Sequence, residues 1–398
     1  MHIDVNNAFL SWTAVDLLKK GSKYDIRNSY AVIGGDENSR RGIVLAKSTP
    51  AKKMGVVTGE TLYSARKKCP ALRTYPSNYL LYKEMSDAFI AILKKYTPDI
   101  EQVSIDECFL DYGKVQKLYG YPIPFAYKIQ KEIYDTLGFT VNVGIANNKL
   151  CAKMASDFEK PNKVHTCFQE EVKEKMWPLP VGELFGVGKK SALKLKELGI
   201  FTIGDLANTK KEILYPYFKN QAEYYILSAN GINDSEVVSE EDDPKGIGNE
   251  TTLSHDIDNK QELYPYLMAL SENVTKRLRR EKKYASVVVV TLKDRYFKRT
   301  SHQKKLKNAT NITSEIYETT KVILNEMWKD EAVRLIGVRL DHLSEVSHHQ
   351  VSLFEDIEER EEKNSLDQTI DELQEKYGKK VIKKASLMES KVQKKYEK

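Results

Sequence analysis

Three consecutive segments of the chain follow a β-α-β order, and this order limits the possible folds more than any other feature of the sequence. Residues 103–112 and 140–146 have an apolar, strand-like pattern, and residues 125–137 between them are apolar at helical spacing. A helix that connects two strands packs on their sheet, which is typical of α/β and α+β domains. The sequence therefore predicts an α/β (α+β) fold.

The pattern predicts further elements on both sides of this unit. Residues 2–9 read as a buried strand that runs into a turn. The helix before the first of the three segments should end ahead of Pro98, because proline disfavours helix at the preceding residue. The other expected elements are strands at 31–35 and 42–46 and helices at 14–20, 82–96 and 149–158.

Length and composition indicate a soluble, folded chain. A length of 398 residues suggests more than one domain. The 41% of apolar and 30% of charged residues fit neither a disordered chain nor a fibrous repeat. No stretch approaches the roughly 18 uncharged apolar residues of a membrane span, and no signal peptide precedes the first strand. We therefore expect a cytoplasmic protein that makes no membrane contact.

The character of the sequence changes twice along the chain. Residues 183–207 contain a tight Gly-Val-Gly turn and read as a compact helical unit. The acidic stretch 237–244 ends in proline and is predicted to be a linker to a basic module, residues 245–344. In the tail, one apolar helix face lies between an N-cap at Ser365 and a terminating Gly378.

Acidic residues stand where the predicted strands would otherwise be apolar. Asp4 lies at the end of the first strand, and Asp106 and Glu107 lie in the segment Ser-Ile-Asp-Glu-Cys-Phe-Leu-Asp. Three carboxylates that converge from two strands could hold two Mg²⁺ ions about 3.5–4 Å apart, the arrangement used in phosphoryl transfer. The alternative is an ordinary solvated hairpin turn that binds no metal.

Two lysines each have a possible ligand. Lys160 ends a helix before a proline, where it could stabilise the helix dipole or reach a triphosphate as a point charge. Lys52, in Ser48-Thr-Pro-Ala-Lys-Lys, could reach a triphosphate in the same way. These residues alone do not decide between the two roles.

A glycine-bounded turn opens the helix near residue 189. Gly186 and Gly188 would let backbone N–H groups approach a phosphate at the helix N-terminus, and Lys189 follows directly. Such turns also occur with no ligand. The following lysines and the Leu-Gly-Ile exit match a helix-hairpin-helix, which binds the DNA backbone without reading sequence.

Positive charge is concentrated in one region of the chain. The net charge is +6, yet residues 276–307 hold 13 Lys and Arg against two acidic residues, so this region carries +11 and the remainder about −5. A solvated face usually mixes its signs, whereas this region alternates basic clusters with an apolar strand. The pattern favours a polyanion partner, with Arg279, Lys298 and Lys305 as phosphate contacts.

The motifs and their order resemble those of the Y-family translesion DNA polymerases, the bacterial DinB/UmuC group, over nearly the whole chain. The most specific of them are Ser104-Ile-Asp-Glu107 and Lys160-Pro-Asn162. The resemblance implies a right-hand polymerase with a ferredoxin-like palm, small fingers, a helical helix-hairpin-helix thumb and a separate α/β little-finger domain. The implied boundaries are 1–10 and 77–166 for the palm, 11–76 for the fingers, 167–240 for the thumb, 245–344 for the little finger and 345–398 for a C-terminal tail.

The resemblance also implies an activity and its partners. Such an enzyme adds deoxynucleotides to a primer 3′ end on a DNA template by two-metal-ion phosphoryl transfer, with low fidelity, in DNA repair and damage-induced mutagenesis. Its partners would be primer-template DNA, deoxynucleoside triphosphates and two Mg²⁺ ions.

The resemblance assigns roles to the acidic and basic candidates. Asp4, Asp106 and Glu107 match the metal-binding carboxylates, with the backbone carbonyl of Val5 as a further ligand, and Asp106 and Glu107 form the catalytic pair. Lys52 and Lys160 match triphosphate contacts. Thr49 stands where the family commonly has tyrosine, which implies a weaker phosphate contact made by a hydroxyl alone.

Phe9 falls at the position of the family's steric gate. In the family this aromatic ring packs against the sugar where a ribose 2′-hydroxyl would project, so ribonucleotides are rejected. The alternative is a plain core aromatic, but the spacing from Asp4 matches the family without a gap.

The segment Gln350-Val-Ser-Leu-Phe354 resembles the bacterial sliding-clamp-binding peptide. In such a peptide a glutamine makes polar contacts at the rim while a Leu-Phe pair, here Leu353 and Phe354, enters an apolar pocket. The alternative is a terminal strand that docks both apolar residues on its own domain.

Two other functions are compatible with part of the sequence. A noncatalytic DNA-binding protein tethered to the replication clamp would explain the basic region and the helix-hairpin-helix, but it leaves the three carboxylates without a role. A nucleotide cyclase on a related palm would use similar metals but has no reason to carry the helix-hairpin-helix.

Overall fold

Helices and strands alternate along the chain and confirm the predicted α/β (α+β) fold. The computed structural model describes residues 1–35, 42–240, 243–346, 357–378 and 381–382. These residues form two compact units, one on each side of residues 241–242, inside the stretch that the sequence predicts to be a linker. None of the helices in the described ranges is long and apolar enough to cross a membrane.

The first unit contains two sheets and a group of short helices. Its elements in chain order are β1 (His2–Val5), α1 (Ala8–Lys19), β2 (Ala31–Gly34), β3 (Val44–Lys47), α2 (Thr49–Lys53), α3 (Leu62–Lys68), β4 (Arg73–Pro76), α4 (Tyr79–Lys94), β5 (Ile100–Gln102), β6 (Glu107–Leu110), α5 (Gln116–Tyr119), α6 (Pro122–Leu137), β7 (Val141–Ile145), α7 (Lys149–Asp157), β8 (Val164–Thr166), α8 (Val172–Lys175), α9 (Lys189–Glu197), α10 (Ile203–Ala207), α11 (Lys211–Phe218) and α12 (Gln221–Ala229).

The larger sheet has the strand order β5-β6-β1-β7-β8 and lies against the main core. Central strand β1 runs antiparallel to both of its neighbours. Successive side chains of a strand point to opposite faces, so Ile3 and Val5 enter the apolar core with α1, α4 and α6. His2 and Asp4 face the other side, where both contact helix α7. The sheet therefore presents Asp4 beside α7.

Strand β1 is shorter than the sequence predicts. It ends at Val5, and helix α1 already begins at Ala8. Asn7, at the N-cap, adopts the left-handed conformation with φ 49°, which asparagine tolerates better than most residues. This residue reverses the chain between strand and helix, so Phe9 lies in the first turn of a helix.

Two smaller cores complete the first unit. The sheet β3-β2-β4 packs Val32 and Val44 against Leu62 of α3. The helices α8 to α12 surround a third core that includes Leu195 and Leu214, and residues of α7 such as Met154 belong to it as well. Helix α7 is thus packed on two sides.

In the part of the chain that the structure describes, the second unit is one antiparallel sheet with three helices, two of which share an apolar core with the sheet. Its strand order is β11-β10-β12-β9. Residues of β10 and β12 pack in a single apolar core with the helices Lys260–Arg280 and Thr313–Met327. Its elements are β9 (Gly246–Ile257), α13 (Lys260–Arg280), β10 (Tyr284–Asp294), β11 (Arg299–Thr310), α14 (Thr313–Met327), β12 (Val333–Ser344) and α15 (Ile357–Tyr377).

Helix α15 is longer than predicted and docks on the second unit. It begins at Ile357, so Ser365 lies inside it rather than at its N-cap, because the charged residues before Ser365 are good helix formers. It ends at Tyr377, and Gly378 has φ 91°. Asp367 on α15 is only 7% exposed. It accepts hydrogen bonds from the Thr313 backbone N–H at 2.7 Å and from Arg279 at 3.3 Å.

We expect Asp367→Ala to destabilise the second unit by roughly 2–4 kcal/mol, since it removes the cap of α14 and leaves the Arg279 guanidinium without one of its carboxylate partners. Urea unfolding of the full chain measures the loss, and amide hydrogen exchange should locate it at the first turn of α14. Glu372→Ala is the matched control because Glu372 is an exposed acid on the same helix. Equal effects of the two substitutions would contradict a specific role for Asp367.

Candidate active site

Two of the predicted carboxylates lie opposite each other on neighbouring strands. Asp4 of β1 pairs in register with Glu107 of β6, so the residues are direct neighbours across the sheet. Their side chains are 14% and 19% exposed. The structure therefore brings together acidic residues that are separated by 103 positions in the sequence.

Asp106 lies at the end of the hairpin turn between β5 and β6. The Ser104 hydroxyl donates a 2.7 Å hydrogen bond to the Asp106 carboxylate, and the backbone N–H of Val5 donates to the Asp106 carbonyl at 2.9 Å. The second bond ties the turn to the end of β1. Asp106 and Val5 are thus held next to the Asp4–Glu107 pair. The acidic segment does form a hairpin turn, which is the feature that the alternative without metal also predicts.

Two lysines neutralise the Asp4–Glu107 pair. The Lys153 Nζ of α7 contacts Glu107 and lies 3.7 Å from the other carboxylate, that of Asp4. The Lys160 Nζ binds Asp4 at 2.7 Å and Asp157 at 2.8 Å. The sequence predicts Lys160 as a triphosphate ligand, and the structure places it within reach of the carboxylates.

The surroundings shift the pKa values of the two carboxyl groups in opposite directions. Burial raises the pKa of Asp4, although Lys160 and Lys153 oppose that effect. Contacts with His2 and Lys153 lower the pKa of Glu107 to about 2. The His2 Nε2 is 3.4 Å from Glu107 and makes no well-aligned hydrogen bond, so the Lys153 ammonium is the stronger of the two partners.

The side chains do not form a ready-made chelate. In the ranges that the structure describes, no three His, Cys, Asp or Glu side chains are arranged to surround one metal ion. The cause is visible in the contacts, because Asp4 and Glu107 are turned towards lysine ammonium groups and Asp106 towards Ser104. The donor set is nevertheless one that suits a hard divalent cation: three carboxylates beside a backbone carbonyl.

Three residues that support the site were not identified from the sequence. His2 is fully buried and its Nδ1 lies 2.8 Å from the Ser156 hydroxyl of α7. Lys153 could have been found from its spacing, because Lys153 and Asp157 lie at i and i+4 of the predicted helix and Lys160 follows three residues later. Helix α7 ends at Asp157, so Lys160 lies just beyond it and not at its last position.

Asn6 is the third of these residues, and it fixes the turn after β1. Its amide donates to Asn142 at 3.0 Å and accepts from the Thr140 hydroxyl at 2.9 Å and from the Asn162 backbone N–H at 2.8 Å. These partners lie at least 134 positions away in the chain. No local sequence pattern could therefore have revealed this role.

Phe9 belongs to an aromatic cluster at the start of α1. Its ring stacks on Tyr82 with a centroid distance of 4.4 Å and an angle of 8°, and it meets Tyr79 edge to face with a centroid distance of 6.2 Å. Tyr82 is fully buried, and its hydroxyl lies 3.2 Å from that of Thr13. Phe9 itself is only partly buried. The ring is therefore held on one side and accessible on another.

Thr49 and Lys52 both lie on the short helix α2. Ser48 caps this helix by accepting a hydrogen bond from the Ala51 backbone N–H at 3.1 Å, and both Thr49 and Lys52 are exposed. Lys47, on the preceding strand, is a further basic residue that the sequence did not single out. Burial and the neighbouring Lys52 lower its pKa. Helix α2 thus presents a hydroxyl and positive charge to solvent.

The helix-hairpin-helix turn has the geometry that its glycines predict. Gly186 has φ 91°, a conformation that favours glycine, and Gly188 is the N-cap of α9 with no side-chain cap. Leu184 and Val187 anchor the turn in the core. Lys189 follows at the exposed first position of α9. The backbone N–H groups at this helix start therefore face solvent.

Within the described residues, the helices that pack on the sheet of the second unit do so on one face. Lys305 pairs with Val287 and Lys304 with Val288, so these two adjacent lysines point to opposite faces. Val288 lies in the core with the helices, and Lys304 binds Glu326 of α14 at 3.0 Å. Lys305 therefore lies on the open face. Lys298 is exposed in the turn between β10 and β11.

The structure corrects the expectation for Arg279. Its side chain is 9% exposed, and its Nε donates to Asp371 of α15 at 2.7 Å. It also donates to the Asn311 carbonyl at 2.8 Å. Because α15 covers this guanidinium, we omit Arg279 from the DNA surface. Gln350, Leu353 and Phe354 lie outside the described residues.

The sequence of the chain matches the models of one protein family along most of its length. Residues 3–157 match the impB/mucB/samB family, residues 169–200 the IMS family HHH motif, and residues 244–353 the impB/mucB/samB family C-terminal domain. The first match contains the carboxylates described above, and the second contains the Gly186–Gly188 turn.

Individual relatives and solved structures agree with this match. The chain is 48% identical over 390 residues to a DNA polymerase IV of Clostridium acetobutylicum, with 98% of each chain covered. It is 35% identical to a DNA polymerase IV of Acetivibrio thermocellus, with 95% of this chain and 94% of the relative covered.

Among solved structures, a Y-family DNA polymerase chimera of Dbh and Dpo4 matches with a TM-score of 0.75 and 25% identity, covering 86% of this chain and 98% of the other. An insertion ternary complex of Dbh DNA polymerase matches with a TM-score of 0.60 and 26% identity, covering 85% and 97%. Members of this family use divalent metal ions, and a noncatalytic role is not favoured. The chain belongs to the impB/mucB/samB family of bacterial DinB-type Y-family polymerases and is a template-directed translesion DNA polymerase.

Proposed function

We propose that Asp4, Asp106 and Glu107, with the carbonyl oxygen of Val5, bind two Mg²⁺ ions for phosphoryl transfer. The observation that supports this proposal is that Asp4 and Glu107 lie opposite each other on neighbouring strands, next to the turn that contains Asp106. Oxygen ligands of this kind are the ones that Mg²⁺ prefers. When bound, the ions would promote attack by the primer 3′-hydroxyl and stabilise the triphosphate charge.

The lysines of the site would balance the charge of the incoming triphosphate. Lys160 is 34% exposed and already bridges two carboxylates, so it can turn to a phosphate without leaving the site. Lys52 and Thr49 are exposed on α2, where a hydroxyl and an ammonium group suit phosphate oxygens. We assign all three residues to nucleotide binding.

We propose that Phe9 is the steric gate against ribonucleotides. Its partial exposure supports this assignment over that of a core aromatic, and the stacked Tyr82 ring limits how far it can move. A fixed ring beside the sugar would leave no room for a 2′-hydroxyl.

Two surfaces are proposed to bind the DNA backbone. In the first unit, Gly186, Gly188 and Lys189 offer free N–H groups and a charge at a helix start, which suits a phosphate. In the second unit, Lys298 and Lys305 lie in the turn and on the open face of the sheet. We retain the implied palm, fingers, thumb and little-finger boundaries as part of this proposal.

We expect the double substitution of Lys298 and Lys305 by Ala to weaken binding of every DNA sequence alike. The slope of log K against log salt should become less steep by about 0.9 for each DNA phosphate that the variant no longer neutralises. Titration of primer-template at several salt concentrations measures this slope. Lys304→Ala is the matched control, because Lys304 is adjacent but lies on the helix-covered face. A double variant that keeps the wild-type slope would place both lysines outside the interface.

We further propose that Gln350, Leu353 and Phe354 bind the bacterial sliding clamp. The support is the sequence Gln-Val-Ser-Leu-Phe, which offers a polar rim contact and an apolar pair. Tethering would raise the effective concentration of the polymerase at the primer end. Because its substrates are DNA and deoxynucleoside triphosphates, we place the protein in the cytoplasm.

Primer extension on undamaged and damaged templates tests the proposed mechanism as a whole. We expect Mg²⁺-dependent addition of single deoxynucleotides in both cases. Binding of primer-template with no extension at any Mg²⁺ concentration would overturn it.

A further inference from the structure

Lys153 projects from α7 into the centre of the carboxylate site. Its side chain is 13% exposed, which is unusual for a lysine, and its ammonium group contacts Glu107 and lies 3.7 Å from Asp4. It also lies 3.8 Å from Asp157, one helical turn further along α7. A buried lysine with three carboxylates around it holds those carboxylates together.

The carboxylates that Lys153 contacts are two of those proposed to bind metal. A divalent ion binds a carboxylate oxygen at about 2.1 Å, where it would share that oxygen with the ammonium group and repel it. The site cannot hold both cations on the same oxygens. Metal binding must therefore move the Lys153 ammonium away from Glu107 and Asp4.

Asp157 offers a destination for the displaced ammonium group. Its side chain is 49% exposed and belongs to the same helix, at i+4 from Lys153. Lys160 currently shares this carboxylate, and Lys160 is free to leave when it binds a triphosphate. The change requires side-chain rotation only, because α7 packs on β1 and β7 and contributes to the core around α8 to α12.

We propose that Lys153 is a positioning residue that competes with divalent cations for Glu107 and Asp4. It keeps the two carboxylates assembled and sets the metal concentration that the enzyme needs. The inference rests on the proposed function, since it assumes that these carboxylates bind the metal. It assigns to Lys153 no contact with the reacting atoms.

Removal of the Lys153 ammonium group should have two opposite effects: it should lower the stability of the metal-free protein and raise its affinity for a divalent cation. Without the ammonium group, Asp4 and Glu107 repel each other, so the chelator-treated protein loses stability. The same change removes a competitor, so a divalent cation binds more tightly. A purely structural residue would not produce both effects, because damage to the site would weaken metal binding.

The experiment compares Lys153→Met with Lys149→Met in the full chain. Lys149 is the matched control, because it lies one turn earlier on α7, is 18% exposed and pairs with Glu101 outside the site. Mn²⁺ binding is followed by the electron paramagnetic resonance signal of the free ion, and thermal unfolding is measured with chelator and with Mn²⁺. We expect the Kd for Mn²⁺ to fall about tenfold in Lys153→Met, the factor expected for loss of one charged hydrogen bond, and to stay unchanged in Lys149→Met.

The stability readout should agree with the binding readout. Lys153→Met should have a lower Tm than wild type in chelator, and Mn²⁺ should raise its Tm by more than it raises that of wild type. An unchanged or larger Kd for Mn²⁺ would overturn the proposal. If Lys153→Met does not fold even with Mn²⁺, Lys153→Gln is measured in the same way and judged by the same outcomes.

Asp106→Asn separates this proposal from the proposed function. If that variant loses Mn²⁺ binding while Lys153→Met binds like wild type, the metal site stands and only the role of Lys153 is overturned. If Asp106→Asn binds Mn²⁺ as wild type does, the metal lies elsewhere and both proposals fail.

Discussion

Asp106→Asn should lower the rate of deoxynucleotide addition by at least about 10³-fold, because it removes several kcal/mol of the metal-dependent stabilisation of transition-state charge. The substitution keeps the shape of the side chain and the hydrogen bond from Ser104. Its effect should therefore be on charge alone. DNA affinity should remain nearly unchanged, since the proposed DNA contacts lie on other residues.

Single-turnover primer extension at saturating DNA measures this effect. Asp111→Asn is the matched control, because Asp111 belongs to the same acidic segment but lies just beyond the other end of β6, where it accepts a hydrogen bond from the Gly113 backbone N–H. It should extend primers at close to the wild-type rate. An Asp106→Asn rate within about tenfold of wild type would contradict the assigned role.

Phe9→Ala should admit ribonucleotides. Removing the ring opens space at the sugar 2′ position, and changes in an apolar pocket alter discrimination by about 10- to 200-fold. Deoxynucleotide addition should persist, because Phe9 is only partly buried and the core aromatics Trp12 and Tyr82 remain in place.

The readout is the ratio of kcat/KM for a deoxynucleotide to that for the matching ribonucleotide. Phe9→Tyr keeps the ring and serves as the control, with discrimination expected near that of wild type. A Phe9→Ala variant that incorporates deoxynucleotides normally and rejects ribonucleotides as before would place the gate at another residue.

The acidic residues and the helix-hairpin-helix could be identified from the sequence because their signals are local. Asp106 and Glu107 interrupt an apolar segment, and the glycines of the turn stand two positions apart. The strand length could not be predicted in the same way. The apolar pattern continues through Phe9, whereas the left-handed Asn7 already starts a helix.

The contacts that complete the site depend on tertiary structure. Lys153 meets Glu107 across 46 positions and Asn6 meets Asn162 across 156. A sequence window shows the residue types but not these pairings. For Arg279, the sequence instead predicted a DNA contact that the structure does not support. Its charge favours DNA, but Asp367 of α15, 88 positions further on, binds and covers its guanidinium group.

The proposed metal site is tested by a crystal structure of the protein with primer-template, a deoxynucleoside triphosphate and Mn²⁺, with anomalous scattering used to locate the metal. We expect two Mn²⁺ peaks about 3.5–4 Å apart, bounded by the carboxylates of Asp4, Asp106 and Glu107 and the carbonyl of Val5. A structure in which the nucleotide is bound but the Mn²⁺ peaks lie away from these four residues would contradict the proposed metal site.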